Sequence, residues 1–306
     1  MATYVTQEML LIHREGLMKL INDGVEGAPS TWKLITPRVI SSRQAYEQVQ
    51  THAGLGFFEP MDEVGGVTYD AAIPRYSKTY TPIVRTLGVK FSKQSRQKDL
   101  YGFIKAMGPM LAEAAVVTMN LMAANLINLG FGGGTTCPDG QAQFSAAHPL
   151  TTLSTYSNLG TSPLSGQALE DALQSVLAQV GDRGIPKYYP AGFKLVVGPL
   201  QSAIATRAVR SQGLQGTTDN DTNEFVSGLI KNVVVEQMIG FNQPSLIDAW
   251  ALLPADEKNN PFFYIQVQGI ETDVDKSIDF QEIKYVSDFE GTFDTWGWRG
   301  TFGSAV

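Results

Sequence analysis

Apolar residues recur along this chain in two rhythms, and the switches between them mark out its elements. Val5, Met9, Ile12, Leu17 and Leu20 fall along one side of a helix. Asp23, Gly24, Gly27, Pro29 and Pro37 then interrupt regular structure, and residues 44–50 allow at most one short helix. This opening stretch has little core of its own, so its helix needs a partner surface. It is either an arm lying on something else or a cap on its own domain.

From residue 65 the rhythm changes to period two. Val67, Tyr69, Ala71 and Ile73 alternate with Thr68, Asp70 and Ala72, and Ile83, Leu87, Val89 and Phe91 repeat likewise, which predicts strands over 65–73 and 82–91. Between them, Pro74 and Pro82 block ladder hydrogen bonds, and Arg75, Tyr76, Lys78 and Tyr80 present long side chains. A two-stranded ribbon is marginal in water. A hairpin with so broad a tip is expected to lean on neighbouring chains or on another part of this one.

A long helix follows over 97–129, with a kink or restart expected at Pro109. In its second half Glu113, Thr118, Asn120, Asn125 and Asn128 share one arc, opposite an apolar face of Leu111, Ala115, Val117, Leu121, Met122 and Leu126. The stretch has about the length of a bilayer span, roughly 20 residues, but its asparagines and Glu113 interrupt the apolar run, so a soluble core helix is the reading. Gly130 and the triplet 132–134 end it. Beyond lies a mixed α/β region. It has a helix from 164 with Ser165 as N-cap, a buried strand FKLVVGP, a helix LQSAIATRAVRS, a polar loop over 211–223 and a strand NVVVEQMIG. ALLPADEKNNP reads as a turn-rich break, and two long strands follow it.

Composition narrows what this architecture does. A net charge of −7 disfavours nucleic-acid binding over the whole surface. A single cysteine forms no intramolecular disulfide, and Glu8, His13, Arg14 and Glu15 break the apolar run that a signal peptide needs, so the chain reads as non-secreted. The segment CPDGQAQFSAAHP places Cys137 near His148 and raises the question of a nucleophile with its base. Cys137 lies in a Pro, Asp and Gly turn without a cysteine-protease signature, and His148 reads as a partly buried ring bonded to backbone. Three scattered histidines make a weak zinc set. The acidic runs at Asp219, Asp221 and Asn223 and at Asp273 and Asp275 miss the glycine and the final acidic ligand of a calcium loop.

Three segments in order carry a resemblance. Asp139 to Pro149 is similar to the DGxALFSxxHP segment that follows the long helix in Mu-like major head subunits, with Gln143 in place of the usual leucine. GVKFSKQSRQKDLYGF, residues 88–103, resembles the strand and charged turn leading into that helix, and Asp288 to Gly303 the closing strand and Arg-containing tail. The chain thus resembles tailed-bacteriophage major capsid proteins of the HK97 fold. The resemblance implies an α+β fold with an N-terminal arm over 1–55, an extended E-loop over 56–94 and a peripheral domain with its spine helix over 95–163. An axial domain would take 164–255, and C-terminal strands over 256–306 would return to the peripheral domain.

It implies self-assembly into an icosahedral head shell around double-stranded DNA, through hexamers and pentamers. Scaffold, portal and decoration proteins are the other expected partners; no membrane, cofactor, metal or catalytic site is expected. The chain would be a virion component assembled in the host bacterial cytoplasm. Arg75, Tyr76, Lys78, Tyr80 and Arg85 are the candidate subunit contacts, since Tyr and Arg anchor interfaces. Two alternatives stay open: an intracellular cysteine hydrolase using Cys137 and His148, and a β-rich tail or adhesion protein.

Overall fold

The computed structural model describes residues 29–61, 66–92, 103–150, 155–211, 223–241, 243–277 and 282–305, with residues 27 and 94. The helix expected over 5–20 lies outside them. A short helix α1 (Trp32–Ile35) leads into strand β1 (Arg38–Ser41), and β2 (Glu47–His52) and β3 (Pro74–Tyr80) form an antiparallel ribbon. β4 (Ile83–Ser92) precedes the long helix α2 (Phe103–Asn128). After short strands β5 (His148–Pro149), β6 (Thr155–Tyr156) and β7 (Leu159–Gly160) come α3 (Gly166–Leu177), β8 (Phe193–Val197), α4 (Ser202–Arg210), α5 (Glu224–Leu229) and β9 (Ile230–Val235). β10 (Trp250–Pro254), β11 (Phe262–Ser277), β12 (Glu282–Thr295) and β13 (Phe302–Ser304) complete the fold.

Two larger sheets organise these elements. One runs β1-β11-β12-β4, with β1 parallel to β11 and the other pairs antiparallel; the second runs β7-β13-β10-β8-β9. Side-chain alternation sorts the core. In the second sheet Phe193, Leu195, Val197, Trp250 and Leu252 face α3, α4 and α5, whereas Val196, Val234, Ala251 and Leu253 join the core around α2. In the first sheet Phe262 and Tyr264 join the α2 core, while Phe263 and Ile265 meet Tyr80 at the root of the ribbon. Each sheet therefore has both faces covered near its centre, which is why every residue of β8 and β10 is buried, Lys194 included.

Several expectations need correction. Residues 66–73 form no strand; the ribbon is β2 paired with β3, so residues read as a broad tip are a strand and residues read as a helix are its partner. β4 pairs with β12 and belongs to the body. Pro74 is tolerated because it opens its strand. The break expected over 251–261 begins only after Pro254, since 251–254 belong to the buried strand β10. Helix α2 is a single element of 26 residues with Pro109 inside it, so no restart occurs.

The asparagines of α2 are not a solvated side either. Asn120 is buried and its Oδ1 accepts from the Thr31 and Trp32 N–H groups at 3.1 Å each, capping α1, while its Nδ2 donates to the Pro29 carbonyl at 2.8 Å. Asn128 accepts from the Gly240 N–H and donates to the Met238 carbonyl. The stretch Pro109–Asn128 passes a length and composition test for crossing a bilayer. Here it packs against α1, β4, β11 and β12. The α3 expectation holds: the Ser165 hydroxyl accepts from the Ala168 N–H at 3.1 Å.

Candidate functional site

The segment 137–149 is a turn closed by its own side chains. Cys137 N–H donates to the Gln141 carbonyl and Phe144 N–H to the Gly130 carbonyl, so the segment folds back on the end of α2. Phe144 is buried against Phe131, ring centroids 4.7 Å apart, and a Cβ on Gly303 would stand 2.6 Å from its ring. The Cys137 thiol donates to Gln143 Oε1 at 3.2 Å, and burial pushes its pKa well above the ordinary thiol range. A nucleophilic cysteine needs the opposite shift.

His148 is fully buried, and its bonds run to side chains, contrary to the backbone partner expected. Nδ1 meets Asp139 Oδ2 at 2.8 Å and Nε2 meets Asn158 Oδ1 at 3.1 Å. Asn158 cannot turn its amide nitrogen to the ring: Oδ1 accepts from the Ser145 N–H and Nδ2 donates to the Gln143 carbonyl. Nε2 therefore donates. The ring also stacks on Trp298 at 4.5 Å. Both nitrogens being engaged, no base faces the thiol, and the cysteine-hydrolase alternative lacks its dyad. Among the described residues no group of three or more His, Cys, Asp or Glu is placed to hold a metal. Asp273 and Asp275 lie within β11, and the 219–222 part of the other acidic run lies outside the described residues.

Of the five candidate contact residues, Tyr80 and Lys78 lie toward the root of the ribbon, Arg75 and Tyr76 nearer its connection, and Arg85 on β4. Tyr80 is 1% exposed and its hydroxyl donates to the Thr295 carbonyl at 2.9 Å. Lys78 Nζ donates to Asp294 and to the Thr136 carbonyl, each at 2.6 Å. Burial raises the Asp294 pKa, with Lys78 acting against it. Arg75 reaches Asp182 at 3.4 Å and lies over the Tyr76 ring, and Arg85 donates to the Gly291 carbonyl at 3.3 Å. Lys78, Tyr80 and Arg75 bind the ribbon to its own body, and Arg85 joins β4 to β12.

What the ribbon leaves outward lies between its strands. Leu55, Phe57, Phe58, Met61, Val67, Tyr69 and Ile73 are all exposed, Phe57 at 79%, Phe58 at 106% and Tyr69 at 90%. A connection this rich in uncovered apolar groups is the signature of an interaction site. Sequence reasoning gave Val67, Tyr69 and Ile73 to a strand and missed Phe57 and Phe58; two adjacent phenylalanines between glycines and prolines were the available signal.

Residues 75–306 match the family described as phage capsid protein. The chain belongs to this family. Solved capsids agree in fold across low identity. The cyanophage P-SCSP1u capsid protein aligns with TM-score 0.57 and 11% identity over 91% of this chain and 88% of that one. The virus-like particle from Pyrococcus furiosus aligns with TM-score 0.55 and 10% identity, covering 95% and 99%. The capsid of the myovirus XM1 gives 0.52 and 13%, covering 87% and 89%. No curated protein sequence matches the chain. The fold is the α+β HK97 type of major capsid proteins, and the chain is a structural protein of the virion shell. The 26-residue α2 sets it apart from a mainly β tail or adhesion protein.

Proposed function

We propose that copies of this chain close an icosahedral head around double-stranded DNA, as hexamers and pentamers, with no catalytic role. Residues 164–255 would surround the local symmetry axes, and α2 with the sheet β1-β11-β12-β4 would form the peripheral body. The extended loop is drawn back to the ribbon β2–β3 and the connection between its strands. Scaffold, portal and decoration proteins are the further partners, and assembly takes place in the host bacterial cytoplasm.

One observation carries this reading: the exposed apolar side chains of Leu55, Phe57, Phe58, Met61, Val67, Tyr69 and Ile73 find no cover among the described residues. A second copy supplies that cover without any new chemistry, and closed symmetry repeats the same contact at every subunit. Lys78, Tyr80 and Arg75 then act by holding the ribbon on its own body, while the connection makes the contact. Electron microscopy and native mass spectrometry of the purified chain test this. Closed shells or five- and six-membered rings are expected; a strict monomer at high concentration, with or without co-expressed scaffold, overturns it.

A further inference from the structure

Beyond its root, the ribbon is gripped at a second place, by one tight turn. Residues 181–184 read Gly-Asp-Arg-Gly. The Gly181 N–H donates to the Ile185 carbonyl at 2.8 Å and the Gly184 N–H to the Gly181 carbonyl at 3.0 Å, with Gly184 at φ +76° where a side chain is strained. Arg299 braces the turn from behind, donating to the Val180 carbonyl at 3.2 Å and to Asp182 Oδ1 at 2.8 Å. The turn is thus a fixed point of the body.

Its two central side chains point opposite charges at the ribbon. Asp182 takes Arg75 of β3 at 3.4 Å. Arg183 reaches further out, donating to Asp70 Oδ2 at 2.5 Å and to the Ala71 carbonyl at 2.7 Å. Asp70 in turn accepts from the Gly56 N–H at 2.7 Å, which ties the outgoing limb of the connection to the returning one. The Arg183 guanidinium, followed by the Gly56 bond, holds the Asp70 carboxyl below its ordinary pKa. A single arginine therefore sets both limbs of the exposed connection against the body.

We propose that the 181–184 turn is an ionic clasp that fixes the direction of the ribbon's apolar connection before two subunits meet. A long connection free to point anywhere would have to be ordered when the contact forms; one already aimed does not, so the clasp preorganises the interface. Asp182 lies in a buried, braced site, whereas Arg183 and Asp70 are partly open to solvent at 23% and 39%. The outer grip is the salt-sensitive one. The proposal takes its purpose from the shell reading but is measured on unassembled protein.

The experiment is chymotrypsin cleavage of the full-length, unassembled chain at Phe57, Phe58 and Tyr69, which the connection exposes. Arg183→Glu is expected to speed cleavage about two- to fivefold, the range for loss of one exposed pair; Arg183→Lys, which keeps the charge but not the two-point grip, is expected to fall between. Adding 0.5 M NaCl should speed cleavage of the natural chain and leave Arg183→Glu unchanged. Wild-type rates for Arg183→Glu, or an equal salt response in both proteins, overturn the clasp. Should the natural chain form no shells, the shell reading fails while cleavage still decides the clasp.

Discussion

Replacing Phe57 and Phe58 together with serine separates folding from assembly. The two rings are 79% and 106% exposed, so the isolated subunit gains nothing from burying them, and its urea midpoint should be unchanged. Covering a phenylalanine removes on the order of 150 Å² from water, about 4 kcal/mol at 25 cal/mol per Å². If the neighbour covers only a third of each ring, the pair contributes about 2.7 kcal/mol per contact. At 1.4 kcal/mol per factor of ten, that raises the concentration needed for assembly about a hundredfold. Light scattering over a dilution series, with particles counted by electron microscopy, reads this directly. A double variant that folds normally and assembles at the natural concentration would show that the connection is not a subunit contact.

Three further outcomes follow from buried polar groups. Asn120→Ala removes three hydrogen bonds and the cap of α1, one from the buried Trp32 N–H, and should cost about 2–4 kcal/mol by urea unfolding; a variant as stable as the natural chain would refute the capping role. Lys194, 5% exposed with its ammonium on the Leu34 carbonyl, has its pKa pushed down to about 8 by burial. At this site the unfolded chain then binds more protons between pH 8 and 10.5, so the contribution of Lys194 to stability should rise with pH by about 3 kcal/mol across that window. Lys187, which burial also pushes down to about 8, adds a rise of its own, so the profile of Lys194→Met should be the flatter one by the Lys194 share, and parallel pH profiles for the two proteins would refute it. Cys137, buried and pushed up in pKa, should resist thiol reagents until unfolding, and Cys137→Ala should leave any background ester hydrolysis unchanged; rapid labelling of the native thiol would contradict this.

Much of the body was legible from local chemistry. Ser165 capping α3 and the mostly apolar strand β8 follow rules that need no knowledge of distant neighbours. The ribbon was misread for a physical reason. Val67, Tyr69 and Ile73 alternate as strand residues do, yet they are exposed, so the pattern does not report a core within this chain. Conversely, β2 reads Glu-Gln-Val-Gln-Thr-His and pairs along polar β3, a ladder whose hydrogen bonds leave little apolar trace. Trp250–Pro254 ends in proline and precedes a turn, which hid a central strand. Asn120 and Asn128 counted as polar in the helical periodicity, but each satisfies loop backbone brought near only by the tertiary fold. Arg183 gave no sequence signal, since its partner Asp70 is remote along the chain.

The position of β13 has a consequence for synthesis. Residues 302–304 lie between β7 and β10, and the Gly303 backbone is packed against the Phe144 ring. Until the ribosome has delivered them, β10 has an open edge and the turn after the spine helix lacks its lid. A chain cut short before residue 302 therefore leaves that edge of β10 unpaired and the Phe144 ring without the Gly303 backbone against it.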